Sequence, residues 1–224
     1  MGGAFLDALP MALAIALFPV PIIAMVLILT SDRGRLSGSV FALGWIAGLS
    51  AVGTVVLVLA DSAGPSEAGS PADWISWLKL ALAAVLGFLG WKQIRPTAAQ
   101  EAKSDPAWMA RLESLGPARA GGLGAAFAAL NPKNLLLAVA GATEIAQADL
   151  PAPNQVATYA AFVVCATLGI AVPLAISVVL GVRGQPILER LRDGLSRHMA
   201  TIVAVLCGLI ALKLAVEAVR DLTS

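Results

Sequence analysis

Residues 122–147 read GLGAAFAALNPKNLLLAVAGATEIAQ, and residues 4–30 read AFLDALPMALAIALFPVPIIAMVLILT. Each stretch exceeds the roughly 20 apolar residues a helix needs to cross a hydrocarbon layer about 30 Å thick. Each is also interrupted near its centre, by Asn131-Pro132-Lys133-Asn134 in one and by Phe18-Pro19-Val20-Pro21 in the other. Interior proline removes a helical hydrogen bond and clashes with the carbonyl four residues back, at about 3 kcal/mol or more. A chain that places such breaks inside two apolar spans is building something there.

The rest of the chain agrees with a membrane reading. Its 224 residues are 58% hydrophobic and 13% charged, with a mean hydropathy of +0.85. That leaves too little polar sequence to cover a water-soluble globule. Further apolar runs at 36–60, 74–95, 153–181 and 199–220 complete a set of six. The runs are continuous rather than alternating, so the expected fold is all-α, a single transmembrane domain of six helices and not a barrel. The third carries Lys79, expected to snorkel toward water, and the sixth carries Lys213 and Glu217.

Charge placement sets an expected orientation. Arg33, Arg35, Lys92, Arg95, Lys103, Arg111, Arg119, Arg183, Arg190, Arg192 and Arg197 all fall on one side of the six runs. The opposite loops, 61–73 and 148–152, hold no Lys or Arg but carry Asp61, Glu67, Asp73 and Asp149. The positive-inside rule puts the basic loops in the cytoplasm of a plasma (inner) membrane and both termini outside. Without a basic n-region, the first span is expected to be retained rather than cleaved. A net charge of +1 gives no footprint for nucleic acid. Arg33 and Arg35 are topology determinants, with contact to anionic lipid headgroups as the sharper option.

Each half, 1–95 and 122–224, holds three runs, an odd number, and so enters the membrane from the opposite side. Each begins with its broken span. Broken first helices at matched positions of inverted halves point to a transport site near the bilayer midplane. At the second break Asn131 is suited to N-cap a restarted helix with Pro132 in its first position. Amide groups, the positive end of a helix dipole and the Lys133 ammonium then gather in one place, an arrangement for anions. At the first break, Pro19 and Pro21 delete two amide donors, and that side should be drier. A charge at the bilayer centre costs about 2.5–3.5 kcal/mol on insertion scales. Lys133 therefore either pairs across helices, with Glu217 as a candidate, or awaits an anionic ligand. The candidate site is Asn131, Pro132, Lys133, Asn134, Pro19 and Pro21, supported by a Lys213–Glu217 ion pair four residues apart.

Other features carry less. Between the halves, the cytoplasmic segment 104–119 includes SDPAWMARLESLG, whose Trp108, Met109, Leu112 and Leu115 share a helical face. Residues 185–197 pattern similarly, and both read as short helices in the headgroup layer or a docking surface for a partner. Gly44-Trp45-Ile46-Ala47-Gly48 has the GxxxG spacing of close helix packing, within the chain rather than as a dimer seam. Cys165 and Cys207 lack metal or redox spacing and read as small hydrophobes. His198 has no second histidine near it. No metal site, cofactor or enzymatic activity is expected.

These motifs together resemble the actinobacterial GAP/Sap family of glycolipid-addressing membrane proteins, within the lysine-exporter superfamily. The resemblance runs through Phe18-Pro19-Val20-Pro21-Ile22, Ser31-Asp32-Arg33-Gly34-Arg35, Leu43-Gly44-Trp45 and Leu130-Asn131-Pro132-Lys133-Asn134-Leu135. It implies a role in moving envelope glycolipids, such as sulfolipid or glycopeptidolipid, toward the surface. Wider relatives export amino acids or cations. The alternatives to a carrier are a non-transporting assembly partner of a larger lipid exporter and a membrane enzyme. A homodimer is a further expected form.

Overall fold

The structure is a computed structural model that describes residues 2–31, 33–62, 73–94, 115–148 and 150–223. Every regular element among them is helical: α1 (Gly2–Leu17), α2 (Pro19–Leu29), α3 (Gly34–Ser62), α4 (Asp73–Ile94), α5 (Pro117–Ala129), α6 (Pro132–Gln147), α7 (Ala152–Leu180) and α8 (Gln185–Thr223), with a 3-10 turn at Gly181–Gly184. The order runs twice through a broken helix, a long helix and a third helix. The amphipathic segment 104–119 falls mostly outside the described residues.

Both proline motifs break their helices as the sequence predicts. The axis turns 45° between α1 and α2, and 61° between α5 and α6. By length and composition two helices suffice to cross a membrane, α3 and the run from 152 to 220, or up to four if each bent pair is one span. The chain is therefore a membrane protein.

Sequence explains the position of α2. PVPIIAMVLIL has no polar side chain on any face, and a helix apolar all round belongs in the interior. Every residue of α2 except Val20 is buried, enclosed by α3, α7 and α8. Small residues bring the outer helices together. A Cβ on Gly44 would lie 2.0 Å from the Gly121 carbonyl oxygen, and one on Gly124 would lie 2.1 Å from that of Phe41. The GxxxG spacing thus packs α3 against α5 within the chain, running parallel, with Trp45 fully buried at the seam. On the other side of α3, Tyr159 donates from its hydroxyl to the Leu49 carbonyl at 2.9 Å, and its ring occupies the space a side chain at Gly53 would need.

The same contacts give the level of the breaks. Ala16 lies against Gly169, midway along α7, and Ala125 lies against Gly48, midway along α3. Ala16, two residues before Phe18, sets the first interruption about midway along α7, whereas Ala125 lies six residues before Asn131, so the second interruption falls beyond the midpoint of α3.

One expected element is corrected. Residues 185–197 are not a separate surface helix but the first turns of α8, continuous through residue 223. No proline follows Pro186 before the apolar run, and the lone Gly194 does not stop the helix. Leu188 is buried and Leu191 and Leu195 pack on the core, while Arg190 and Arg197 face outward.

The α3–α5 seam yields a paired test. Gly44→Ala must displace backbone, a cost of about 1–3 kcal/mol. Gly87→Ala, whose Cβ would meet only the Ala211 Cβ at 3.7 Å, should be neutral or stabilising by about 0.5–1 kcal/mol. Thermal unfolding in detergent should separate the two variants, and equal midpoints would contradict the close contact.

Candidate functional site

Four residues make the second break. Asn131 is extended (φ −70°, ψ 118°) and accepts at its side-chain oxygen from the Lys133 amide, at 3.2 Å. It N-caps α6, with Pro132 in the first helical position. Asn134 works in the other direction: its Nδ2 donates to the Phe127 carbonyl in the last turn of α5, at 2.9 Å. Phe127 would otherwise lose its acceptor role, because the Asn131 amide bonds to Ala126 instead. One asparagine finishes the incoming helix and the other starts the outgoing one. Asn134 is fully buried, and its Oδ1 has no hydrogen-bond partner among the described residues.

The amide of Lys133 takes part in this splint. Its side chain is half-buried and lies within electrostatic range of Cys207 on α8. The break borders the surface of the bundle: Leu130 is 76% exposed and Pro132 is exposed. The first break is its opposite. Phe18, Pro19 and Pro21 are buried, and Phe18 gives α2 no side-chain cap. Pro19 and Pro21 occupy first-turn positions whose amides would have been orphaned, so proline there removes donors that lipid cannot satisfy.

The second polar feature was only half visible in the sequence. Lys213 pairs with Glu217 on one face of α8, as the four-residue spacing predicts. Lys79 on α4, however, does not snorkel. It is 4% exposed and its ammonium lies 3.4 Å from Glu144 Oε1 on α6, which Lys213 also approaches at 4.0 Å. Two lysines and two glutamates from three helices therefore form one neutral network. Glu217, considered above as a partner for Lys133, belongs to this network instead. A signal for the missing pair existed: one cation and one acid, each inside an apolar run, each expected toward the same side. Charges placed in lipid seek a partner or a polar cavity.

Arg33 and Arg35 lie on the turn between α2 and α3 and are both exposed. They line a cavity of about 470 Å³ with residues of the α7–α8 connection. This end of the bundle is opposite to the charge network. Among the described residues no group of His, Cys, Asp and Glu is placed to hold a metal, and Cys165 and Cys207 are free thiols.

With the breaks placed, the comparison with known families is decisive. The family model described as Sap, sulfolipid-1-addressing protein, matches residues 8–220. The chain belongs to the Sap family. The match spans both breaks and all eight helices. Neither the curated proteins nor the solved structures include a match to this Sap protein.

The network gives a testable energetic claim. Removing one member of a buried pair strands its partner, at about 3–5 kcal/mol, whereas replacing both by apolar residues is often neutral. Lys79→Met and Glu144→Gln should each lower the unfolding midpoint sharply, and Lys79→Met combined with Glu144→Leu should recover most of the loss. Additive single effects would show that the two residues are not coupled.

Proposed function

We propose that this Sap protein exports cell-envelope lipids of anionic, sulfolipid-like chemistry, acting as a carrier rather than an enzyme. In this reading the chain makes six spans in two halves, 1–95 and 122–224, that enter the membrane from opposite sides, with both termini outside. Substrate meets the second break, where Lys133 and the first turn of α6 face it, and the buried Pro19–Pro21 segment forms the rigid wall behind. The family's name supports the lipid class, and the repeated order of broken, long and third helix supports the two halves.

One observation carries the reading. Asn131 and Asn134 hold the two helix ends at the break, which puts Lys133 in the first turn of α6, at the positive end of its dipole. A cation is costly in lipid and calls for a counter-charge or a polar ligand. In this reading Lys133, half-buried beside the exposed Leu130 and Pro132, sits in a notch that opens sideways. A lipid can reach such a notch without crossing the protein.

Two substitutions test it. Lys133→Ala and Lys133→Gln should abolish delivery of sulfated glycolipid to the cell surface while protein abundance and unfolding midpoint stay near wild type. The readout is surface-lipid extraction from cells expressing each variant. Delivery at wild-type levels in both would remove Lys133 from the mechanism. Purified protein that moves lipid across liposomes alone would favour a carrier over an assembly partner.

A further inference from the structure

Two turns that are far apart in sequence meet at the basic end of the bundle. The first, between α2 and α3, is tight because Gly34 permits it: a Cβ there would lie 2.3 Å from the Leu29 carbonyl oxygen. Thr30 and Ser31 close the end of α2 by donating their hydroxyls to Leu27 and Ile28 carbonyls, both at 2.8 Å. The turn then presents Arg33 and Arg35. The second turn, between α7 and α8, pivots on Gly181 at φ +57°, a left-handed conformation that favours glycine. The Arg35 guanidinium lies over this glycine, 3.0 Å from where a Cβ would be. A cation in this place suits the partial negative charge at the end of α7.

The space enclosed by the two turns is the cavity of about 470 Å³, whose polar lining comes from Ser31, Arg33, Arg35, Ser177 and Gln185. Ser177 is buried, at 7% exposure. The volume falls within the range of small-ligand pockets, about 300–1,000 Å³. The first turn of α3, with its dipole positive end, opens on the same space. Its lining includes two exposed apolar side chains, Leu36 at 57% and Val182 at 78%. A planar, forked guanidinium matches a tetrahedral oxyanion, and apolar residues beside it match an acyl chain. A soluble anion would use only the first of these features.

We propose that this cavity binds the headgroup of a lipid bearing a sulfate or phosphate, through Arg33 and Arg35, with its chains against Leu36 and Val182. Under the export reading it is the loading site, on the side opposite the Lys79–Glu144 network. Binding itself does not depend on that reading. Arg35 lines the cavity and also packs over Gly181, so Arg33 is the residue whose loss best separates binding from folding.

The test uses the purified full-length chain in detergent and two probes that differ only in a sulfate, sulfatide and galactosylceramide. Sulfatide should bind about tenfold or more tightly, the scale of one charge-assisted hydrogen bond. Arg33→Gln should erase most of that preference, and Arg197→Gln, an exposed arginine of α8 outside the cavity, should leave it intact. Equal affinity for the two lipids, or equal effects of the two substitutions, would overturn the proposal. Inorganic sulfate that displaces sulfatide at matched concentration would make this a free-anion site and overturn the lipid assignment. Binding that persists in Lys133→Gln supports a site separate from the break. If export then proves indifferent to Lys133, the transport reading falls and the binding site stands.

Discussion

A helix interrupted within lipid leaves backbone groups that no solvent will satisfy, and the rest of this molecule is arranged around two such interruptions. Each unpartnered group in hydrocarbon costs several kcal/mol, so a break needs its own chemistry. The two solutions differ. In the first span, Pro19 and Pro21 delete donors, and the following helix is buried on nearly all sides. In the second, Asn131 and Asn134 supply side-chain partners for the two helix ends, and the site borders the surface. One break is a dry hinge point in the core. The other places Lys133 in the first turn of α6, beside the exposed Leu130 and Pro132.

The two ends of the bundle are also unlike. At one, Lys79, Glu144, Lys213 and Glu217 tie α4, α6 and α8 together in a neutral network. Ion pairs of this kind are poor sources of net stability but penalise any arrangement that separates them. At the other end, two glycine-dependent turns hold arginines around an open cavity. Between them the bundle is fastened by small residues, Gly44 and Gly124 at the α3–α5 seam and Gly169 beneath Ala16. The charged end and the basic end are thus built from different chemistry on opposite sides of one small-residue seam.

Much of this could be read from the residues. Proline and asparagine have fixed consequences for backbone, so the breaks at Pro19 and Pro132 and the cap at Asn131 were legible. So were the GxxxG contact and the Lys213–Glu217 pair, which follow from spacing alone. Four features were not. The bond from Asn134 back to Phe127 needs the 61° turn between the helices, which no pattern encodes. The burial of Lys79 depends on which helix faces it, and snorkelling and pairing look alike from one span. Residues 185–197 have an amphipathic pattern equally suited to a surface helix or the start of a longer one. The cavity between residues 29–36 and 177–188 joins segments whose proximity is set only by tertiary packing.

The central claim is that position 133 faces a reachable polar notch within the bundle. Cysteine placed there, with Cys165 and Cys207 changed to serine, gives a direct reading through its reactivity with a hydrophilic thiol reagent in the folded protein. The account predicts that Lys133→Cys is modified, whereas Ala138→Cys, fully buried on the same helix, reacts only after denaturation. Protection of both positions until unfolding would show residue 133 sealed in packed protein, and the notch would not exist.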